Sequence, residues 1–281
     1  MIKANYYYHP YTKLEGNPLA ECLGKPLTEM ELADKVETKF DADLDLSEID
    51  SEYHTYYKML SLYDLEHVYT LPDEASFIYK KIRMMIEFGY VNRNPLRDSQ
   101  FVGVLSKIEA NSEKNNTSNT NVQIIELDNS HLVKSNMSFL LTGLSGRGKT
   151  SLIKKLLNCI PQIIQHETYT SKVGVSTKFQ FIQIPYLYIE LHERRGQKAF
   201  LDSILLALDH LTNESYATKT KNLSINKLIT AVRKAFIVHG VGMLIIDEAQ
   251  NLANIKAEVA LGNNEKTTVK FVEEIFNERF H

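Results

Sequence analysis

Residues 139–151 read FLLTGLSGRGKTS, an apolar run followed by three glycines within six positions and a Lys-Thr-Ser ending. From Gly143 to Thr150 the stretch fits the pattern G-x-x-x-x-G-K-[ST] at every fixed position. The apolar run MSFLLTG (137–143) predicts a strand, and TSLIKKLLNCI (150–160) predicts an amphipathic helix. Because the pattern falls between a strand and a helix, it predicts a phosphate-binding loop. The alternative is a glycine-rich turn with a fortuitous Lys-Thr pair.

This predicted loop has the chemistry that a polyphosphate requires. Glycines allow successive backbone N–H groups to point inward as a nest for an anion, and the positive end of the following helix adds to the attraction. Lys149 would reach the β- and γ-phosphates of ATP, and Thr150 would ligate Mg²⁺. The candidate nucleotide-binding residues are Gly143, Ser145, Gly146, Arg147, Gly148, Lys149, Thr150 and Ser151.

A second stretch, MLIIDE (243–248), supplies four apolar residues followed by two carboxylates. Asp247 is the candidate for holding Mg²⁺ through its water shell, together with Thr150. Glu248 follows at the carboxyl end of the strand, where ligands of open parallel sheets gather, and is placed to orient or deprotonate an attacking water. Lys149 and Glu248 are therefore the candidate catalytic residues, and the adjacent glutamate favours ATP hydrolysis over binding alone. An apolar strand that ends in acids is common, so this inference depends on the complete phosphate loop upstream.

The part of the chain that follows the loop alternates strands and helices. IPYLYIEL (184–191) and GMLIIDE (242–248) read as strands, and QKAFLDSILLALDHL (197–211) and SINKLITAVRKAFIVHG (224–240) read as amphipathic helices. Alternation of this kind predicts an α/β fold of three layers, with a parallel sheet between helices. The sequence thus predicts a P-loop NTPase core.

The N-terminal third differs in composition. ANSEKNNTSNTN (110–121) is almost wholly small or polar and is the predicted linker between an N-terminal region, 1–109, and the core, 122–281. DEASFIYKKIRMMIEFGY (73–90) predicts a helix, and the rest of the N-terminal region is expected to be helical and irregular. Its many tyrosines indicate half-buried packing, with a binding surface as the alternative.

Composition and charge restrict which classes of function fit the chain. The 281 residues have a net charge of −3, which argues against indiscriminate nucleic-acid binding. Residues 29–52 carry ten acidic residues against Lys35 and Lys39, so the remainder is basic and could meet phosphates. The acidic stretch is either a solvated surface or a docking segment for a basic partner. No apolar run is long enough for a membrane span and no signal peptide is evident, so we expect a cytoplasmic protein without a membrane partner.

The segments GLSGRGKTSLIKKLL and HGVGMLIIDEAQNL, with YLYIELHERRGQKAFLDSILLALD between them, resemble the AAA+ ATPase regulators of bacterial transposition, of the TnsC/TniB type. Upstream, LPDEASFIYKKIRMMIEFGYVNRNP (71–95) is similar to the N-terminal region of the TnsC proteins of Tn-seven-like elements. Walker motifs are shared by very many ATPases, whereas GYVNRNP and IDEAQNL are more specific to this family.

The resemblance implies an AAA+ ATPase core and an N-terminal region that docks a partner. It implies ATP-dependent assembly of the chain into a ring or filament around double-stranded DNA, coupling a target-selector protein to the transposase subunits. It also places Lys198 and Ser224 where such regulators touch the DNA backbone. From the residues alone, Lys198 is one of many lysines and is typical of a solvated charge, and Ser224 is a helix cap whatever else it does. Arg194 and Arg195 would line the same DNA-facing surface or would simply be exposed.

In the AAA+ cores that this chain resembles, the acidic motif at 243–248 is followed by a sensor strand, an arginine finger and a helical lid. The sequence ends at VEEIFNERFH, in what resembles the helix before that strand, so we expect a truncated core with weak ATP binding and without trans-activated hydrolysis. Two other classes of function stay open. One is an adaptor whose nucleotide fold is a structural platform, and the other is an AAA+ ATPase of the replication-initiator or helicase-loader type.

Overall fold

The computed structural model of the protein describes residues 1–40, 44–97, 138–144, 146–193 and 196–252. The chain divides into two compact units, each considered by itself. The sheet unit contains the described residues of Met1–Lys25, Ile82–Leu141 and Pro161–His281. The loop unit contains the described residues of Pro26–Lys81 and Thr142–Ile160. Helix α4, Ala75–Phe88, runs from the loop unit into the sheet unit and confirms the helix predicted at 73–90.

The sheet unit holds most of the regular structure. Its strands are β1 (Ile2–Lys3), β2 (Ile164–Thr170), β3 (Ser176–Gln183), β4 (Tyr186–Glu190) and β5 (Met243–Asp247). Its helices are α1 (Pro18–Glu21), α6 (Gln197–Thr212), α7 (Tyr216–Thr220), α8 (Ile225–Val238) and the 3-10 turn Ala249–Leu252.

Strands β4 and β5 pair in parallel, in register from Tyr186 opposite Met243 to Glu190 opposite Asp247. Their inner face meets apolar residues of α6 and α8 that recur at helical spacing. The fully buried members of this core include Leu187, Phe200, Leu201, Ile204, Leu208, Val232 and Phe236. A parallel pair joined through helices confirms the α/β class predicted from the sequence.

A second sheet was not predicted. Strand β2 pairs antiparallel with β3, and β1 adds parallel to β2 through Ile2 opposite Ile164. The hairpin turns at Gly174, whose φ of 81° lies in the left-handed region that glycine adopts without strain. The sequence of β2, IQHETYT, mixes polar and apolar residues and gives little strand signal by itself.

Two segments of the N-terminal region lie in the sheet unit. Residues 1–25 and 82–97 lie in it, and the Asn17 side chain donates to the Tyr90 carbonyl at 2.9 Å. The proposed boundary between 1–109 and 122–281 stays a prediction, because the linker at 110–121 lies outside the described residues.

The loop unit contains α2 (Glu29–Val36), α3 (His54–Ser61) with 3-10 turns on either side (Ser51–Tyr53 and Leu62–His67), and α5 (Lys149–Leu157). Helix α2 begins with a capping box, in which Thr28 and Glu31 satisfy each other's backbone N–H groups. Helices α2 and α3, with their 3-10 turns, confirm the helical and irregular N-terminal region that the sequence predicts.

One predicted strand is absent. Residues 138–143, expected as the strand that leads into the phosphate loop, form no strand, and Leu140 is 64% exposed. The prediction of a strand at 137–143 is therefore wrong for these residues, and Met137 lies outside the described part. An apolar run becomes a strand only when a neighbouring strand pairs with its backbone N–H and C=O groups. None of the described strands pairs with residues 138–143. Across the described ranges, no helix is long and apolar enough to cross a membrane.

Candidate functional site

The glycine loop of the loop unit has the backbone that an anion nest requires. Gly146 and Gly148 have φ angles of 76° and 75°, in the left-handed region. A Cβ on either glycine would meet no atom within 4 Å, so backbone conformation rather than space explains the choice of residue. Left-handed residues within such a loop turn successive N–H groups toward one point, which is how backbone binds phosphate.

The loop ends at the start of α5, with Gly148 as its N-cap and Lys149 and Thr150 as its first two residues. Gly148 has no side chain, so the N-cap residue itself cannot cover the first N–H groups of the helix. The first turn contains no acidic residue, whereas Lys154 and Lys155 lie in the last turn. This arrangement leaves the positive end of the helix dipole available to an anion.

The Lys149 ammonium lies across the loop. Its Nζ donates to the carbonyl oxygens of Gly143 and Leu144, each at 2.9 Å, and the residue is half-buried. An ammonium has three N–H donors, so two fix the side chain over the loop and the third can meet a phosphate oxygen. Thr150 is half-buried, and Arg147 and Ser151 are exposed. Ser145 lies outside the described residues.

In the sheet unit, Asp247 ends β5 with both carboxylate oxygens in hydrogen bonds. Its Oδ2 accepts from the Tyr188 hydroxyl at 2.7 Å, and its Oδ1 accepts from the Glu248 N–H at 2.9 Å. The Tyr188 hydroxyl also lies 3.5 Å from Glu190 Oε2. Burial and the neighbouring Asp247 and Glu190 carboxylates raise the pKa of Tyr188, so its hydroxyl keeps the proton that it donates. The orientation of Asp247 is thus set by its partners.

Glu248 follows in a conformation that side chains rarely adopt. Its φ of 54° is in the left-handed region, which costs a residue other than glycine about 1 kcal/mol. The side chain is exposed and accepts a hydrogen bond from Gln250 Nε2. Asn251 holds the turn, because its backbone N–H donates to the Glu248 carbonyl at 2.8 Å and its side chain to the Leu191 carbonyl at 2.6 Å. The Asn251 bond to the Glu248 carbonyl thus holds the Glu248 backbone in its left-handed conformation.

The two candidate DNA contacts are both exposed at helix starts. Lys198 is the second residue of α6, whose N-cap is Gly196. Ser224 is the N-cap of α8, as predicted, but its side chain makes no capping hydrogen bond. Arg194 and Arg195 lie outside the described residues.

Sequence reasoning missed the residues that support the acidic pair. Tyr188 and Glu190 face the same side of β4 as the Asp247 carboxylate, two positions apart. The alternation of residues in YLYIE predicts that Tyr188 and Glu190 share one face of the strand. Only the register of β4 against β5 shows that this face meets the Asp247 carboxylate. Gln250 and Asn251 were part of the segment IDEAQNL, and their contacts with Glu248 and Leu191 depend on the turn that follows β5.

A glycine loop at the start of a helix, and a parallel strand pair that ends in carboxylates, define a P-loop NTPase. The profile of the AAA domain family matches residues 130–279, more than half of the chain, and the chain belongs to this family. Membership supports ATPase activity in general, and it implies the use of a nucleotide and usually of Mg²⁺. A search of the curated proteins returns no match to this chain.

Proposed function

We propose that the chain binds ATP with Mg²⁺ at residues 143–151 and hydrolyses it to ADP and phosphate. The observation that carries this proposal is the loop itself. Two left-handed glycines precede helix α5, whose first turn contains no acidic residue. The oxygen ligands that would hold Mg²⁺, Thr150 and Asp247, are of the kind that this ion takes together with phosphate oxygens. When bound, Mg²⁺ neutralises charge on the β- and γ-phosphates.

Each residue has a defined task in this proposal. The Lys149 ammonium, fixed over the loop by two carbonyls, would bind the β- and γ-phosphates. The Glu248 carboxylate, at the carboxyl end of β5, would orient the attacking water and take its proton. Gln250, which donates to Glu248, would hold that carboxylate in place. The protein contributes positioning and charge, which is what phosphoryl transfer to water requires.

We further propose that this ATPase regulates DNA transposition. Support comes from the similarity of residues 71–95 and of the Walker segments to the TnsC/TniB regulators. On this proposal the ATP-bound chain assembles as a ring or filament on duplex DNA and couples a target-selector protein to the transposase. Lys198 and Ser224 would touch the DNA backbone, and their exposure at helix starts is compatible with contacts that position without reading sequence.

The test separates the two levels of the proposal. ATP turnover by the chain and by Lys149→Ala tests the site, and equal turnover by both would contradict it. Co-sedimentation with duplex DNA, with a non-hydrolysable ATP analogue, tests assembly. We expect DNA binding that requires the analogue and that Lys149→Ala abolishes. Binding that ignores both the analogue and the substitution would overturn the regulator proposal, and turnover without any DNA response would favour another AAA ATPase.

A further inference from the structure

An exposed apolar segment lies in the loop unit, at residues 44–68. It contains α3 and the 3-10 turns on either side of it, and no residue from 44 to 68 is buried. Its exposed large apolar side chains are Ile49, Tyr53, Tyr56, Met59, Leu60, Leu62, Tyr63, Leu65 and Val68. Single exposed apolar residues are ordinary, but so many within one short segment are typical of a surface that another molecule covers.

Four of these side chains form one face, here named the stripe: Tyr53, Tyr56, Leu60 and Tyr63. Their spacing of three, four and three residues places them along one side of the helical segment. Their exposures are 51%, 62%, 50% and 70%. A helical stripe normally faces the core of its own domain, and a helix as short as α3 gains little stability without such burial. The stripe is therefore built for burial that the described residues of the chain do not supply.

The charge of the same segment restricts what can cover the stripe. Residues 44–68 contain six acidic residues against Lys58, a net charge of −5 with both histidines neutral. Phosphate groups of DNA, RNA or anionic lipid would be repelled by this surface. A surface with exposed tyrosines among carboxylates instead complements a protein segment that carries lysine or arginine beside apolar side chains.

We propose that residues 44–68 form a docking surface for a basic, amphipathic segment of a partner protein. The apolar side chains of that segment pack on the stripe, and its lysines and arginines face the surrounding carboxylates such as Glu52 and Asp64. The inference rests on the proposed function in one respect, because a regulator of transposition requires a protein partner. The docking itself needs no nucleotide, so it can be tested apart from the ATPase site.

The probe is a fluorescein-labelled synthetic peptide of lysine, leucine and alanine, with leucines at helical spacing. Fluorescence anisotropy with the full chain measures its affinity. We expect binding that weakens about tenfold when salt rises from about 0.1 M to about 0.5 M. Two further peptides, one with glutamate for lysine and one with serine for leucine, should bind at least about tenfold more weakly. Equal binding of all three peptides would overturn the proposal.

The variant that tests the surface is Tyr56→Ser with Leu60→Ser and Tyr63→Ser. It should lose about tenfold or more in peptide affinity, because apolar anchors carry most of the energy of an interface. The matched control is Val173→Ser with Val175→Ser, which removes exposed apolar side chains at the turn of the sheet-unit hairpin and should change nothing. Unchanged affinity in the triple variant, or equal loss in the control, would overturn the proposal.

Three further measurements keep the result decisive. If the triple variant does not fold, Glu52→Gln with Asp64→Asn and Glu66→Gln should weaken binding and reduce its dependence on salt. Sedimentation velocity tests a second copy as the occupant. If the chain self-associates, the triple variant abolishes that association and no peptide binds, then the proposal is overturned and a second copy of the chain covers the stripe. Lys149→Ala should bind the peptide with the same affinity as the wild type. Failure of the ATPase proposal can therefore be distinguished from failure of the docking proposal.

Discussion

Tyr188→Phe removes one hydroxyl and tests how the acidic pair works. The hydroxyl donates to Asp247 Oδ2 at 2.7 Å, and Asp247 Oδ1 accepts from the Glu248 N–H at 2.9 Å. Phenylalanine keeps the ring on β4 and deletes only the donor to Oδ2. A hydrogen bond to a charged group contributes about 1.5 to 3 kcal/mol, although the half-exposed setting of Tyr188 places this one near the lower end.

The expected consequence concerns Mg²⁺ more than the nucleotide. Residues that orient a metal-holding carboxylate typically change metal affinity or activity by about tenfold to a hundredfold when they are removed. We expect Tyr188→Phe to lower kcat about tenfold and to raise the Mg²⁺ concentration for half-maximal nucleotide binding by a similar factor. Binding of ADP without Mg²⁺ should be unchanged, because the substitution does not alter the glycine loop that we propose binds phosphate.

The assay is a Mg²⁺ titration of a fluorescent ADP analogue, together with steady-state turnover. Tyr216→Phe is the matched control, since its hydroxyl also bonds a partner, His239 Nε2 at 2.8 Å, and its ring packs against the apolar core of the sheet unit. It should change neither quantity by more than about twofold. An unchanged Mg²⁺ requirement in Tyr188→Phe, or the same shift in the control, would refute a positioning role for this hydroxyl.

Three other predictions follow from the backbone and from burial. Gly148→Ala places a side chain at a φ of 75° and should weaken ATP binding by about five- to thirtyfold in a titration, whereas Gly196→Ala, at a φ of −71°, should not. Gly242→Ala would bring a Cβ to 2.8 Å from the Pro185 carbonyl, so the free energy of unfolding in urea should fall by about 1 to 3 kcal/mol. Burial lowers the pKa of His166 from 6.5 to about 4, so the unfolded chain takes up a proton below pH 6.5 that the folded chain does not. The free energy of unfolding should therefore be about 2 kcal/mol lower at pH 5 than at pH 7.5 on account of His166, and His166→Gln should remove that difference.

Local sequence was sufficient where the relevant contacts are local. Helices α6 and α8 were predicted within two residues of their ends, because buried residues such as Phe200 and Ile204 recur at helical spacing. The glycine loop was identified because its chemistry depends on φ angles within a few residues. The hairpin of β2 and β3 was missed, since its strands are polar on one face and depend on each other for hydrogen bonds.

The strand predicted at 137–143 shows the opposite error. Its apolar run satisfied every local criterion for a buried strand, yet residues 138–143 form none. A helix completes its backbone hydrogen bonds within its own segment. A strand needs a neighbouring strand, and the local sequence does not show which segment that is. Asp247 does end a strand, because β5 has a partner in β4, but its orientation by Tyr188 could not be read without the register. The roles of Asp247 and Glu248 in ATP hydrolysis stay predictions.

The segment GYVNRNP (89–95) makes long-range contacts that explain its residue types. Tyr90 is fully buried and donates to the Gly240 carbonyl at 2.8 Å, and Arg93 Nη1 donates to the Val241 carbonyl at 2.9 Å. A Cβ on Gly89 would lie 2.7 Å from the Gly242 carbonyl, so only glycine permits this approach. The segment therefore secures the chain immediately before β5, the strand that carries Asp247. Such a role requires this tyrosine, arginine and glycine together, although their partners lie about 150 residues away in the sequence.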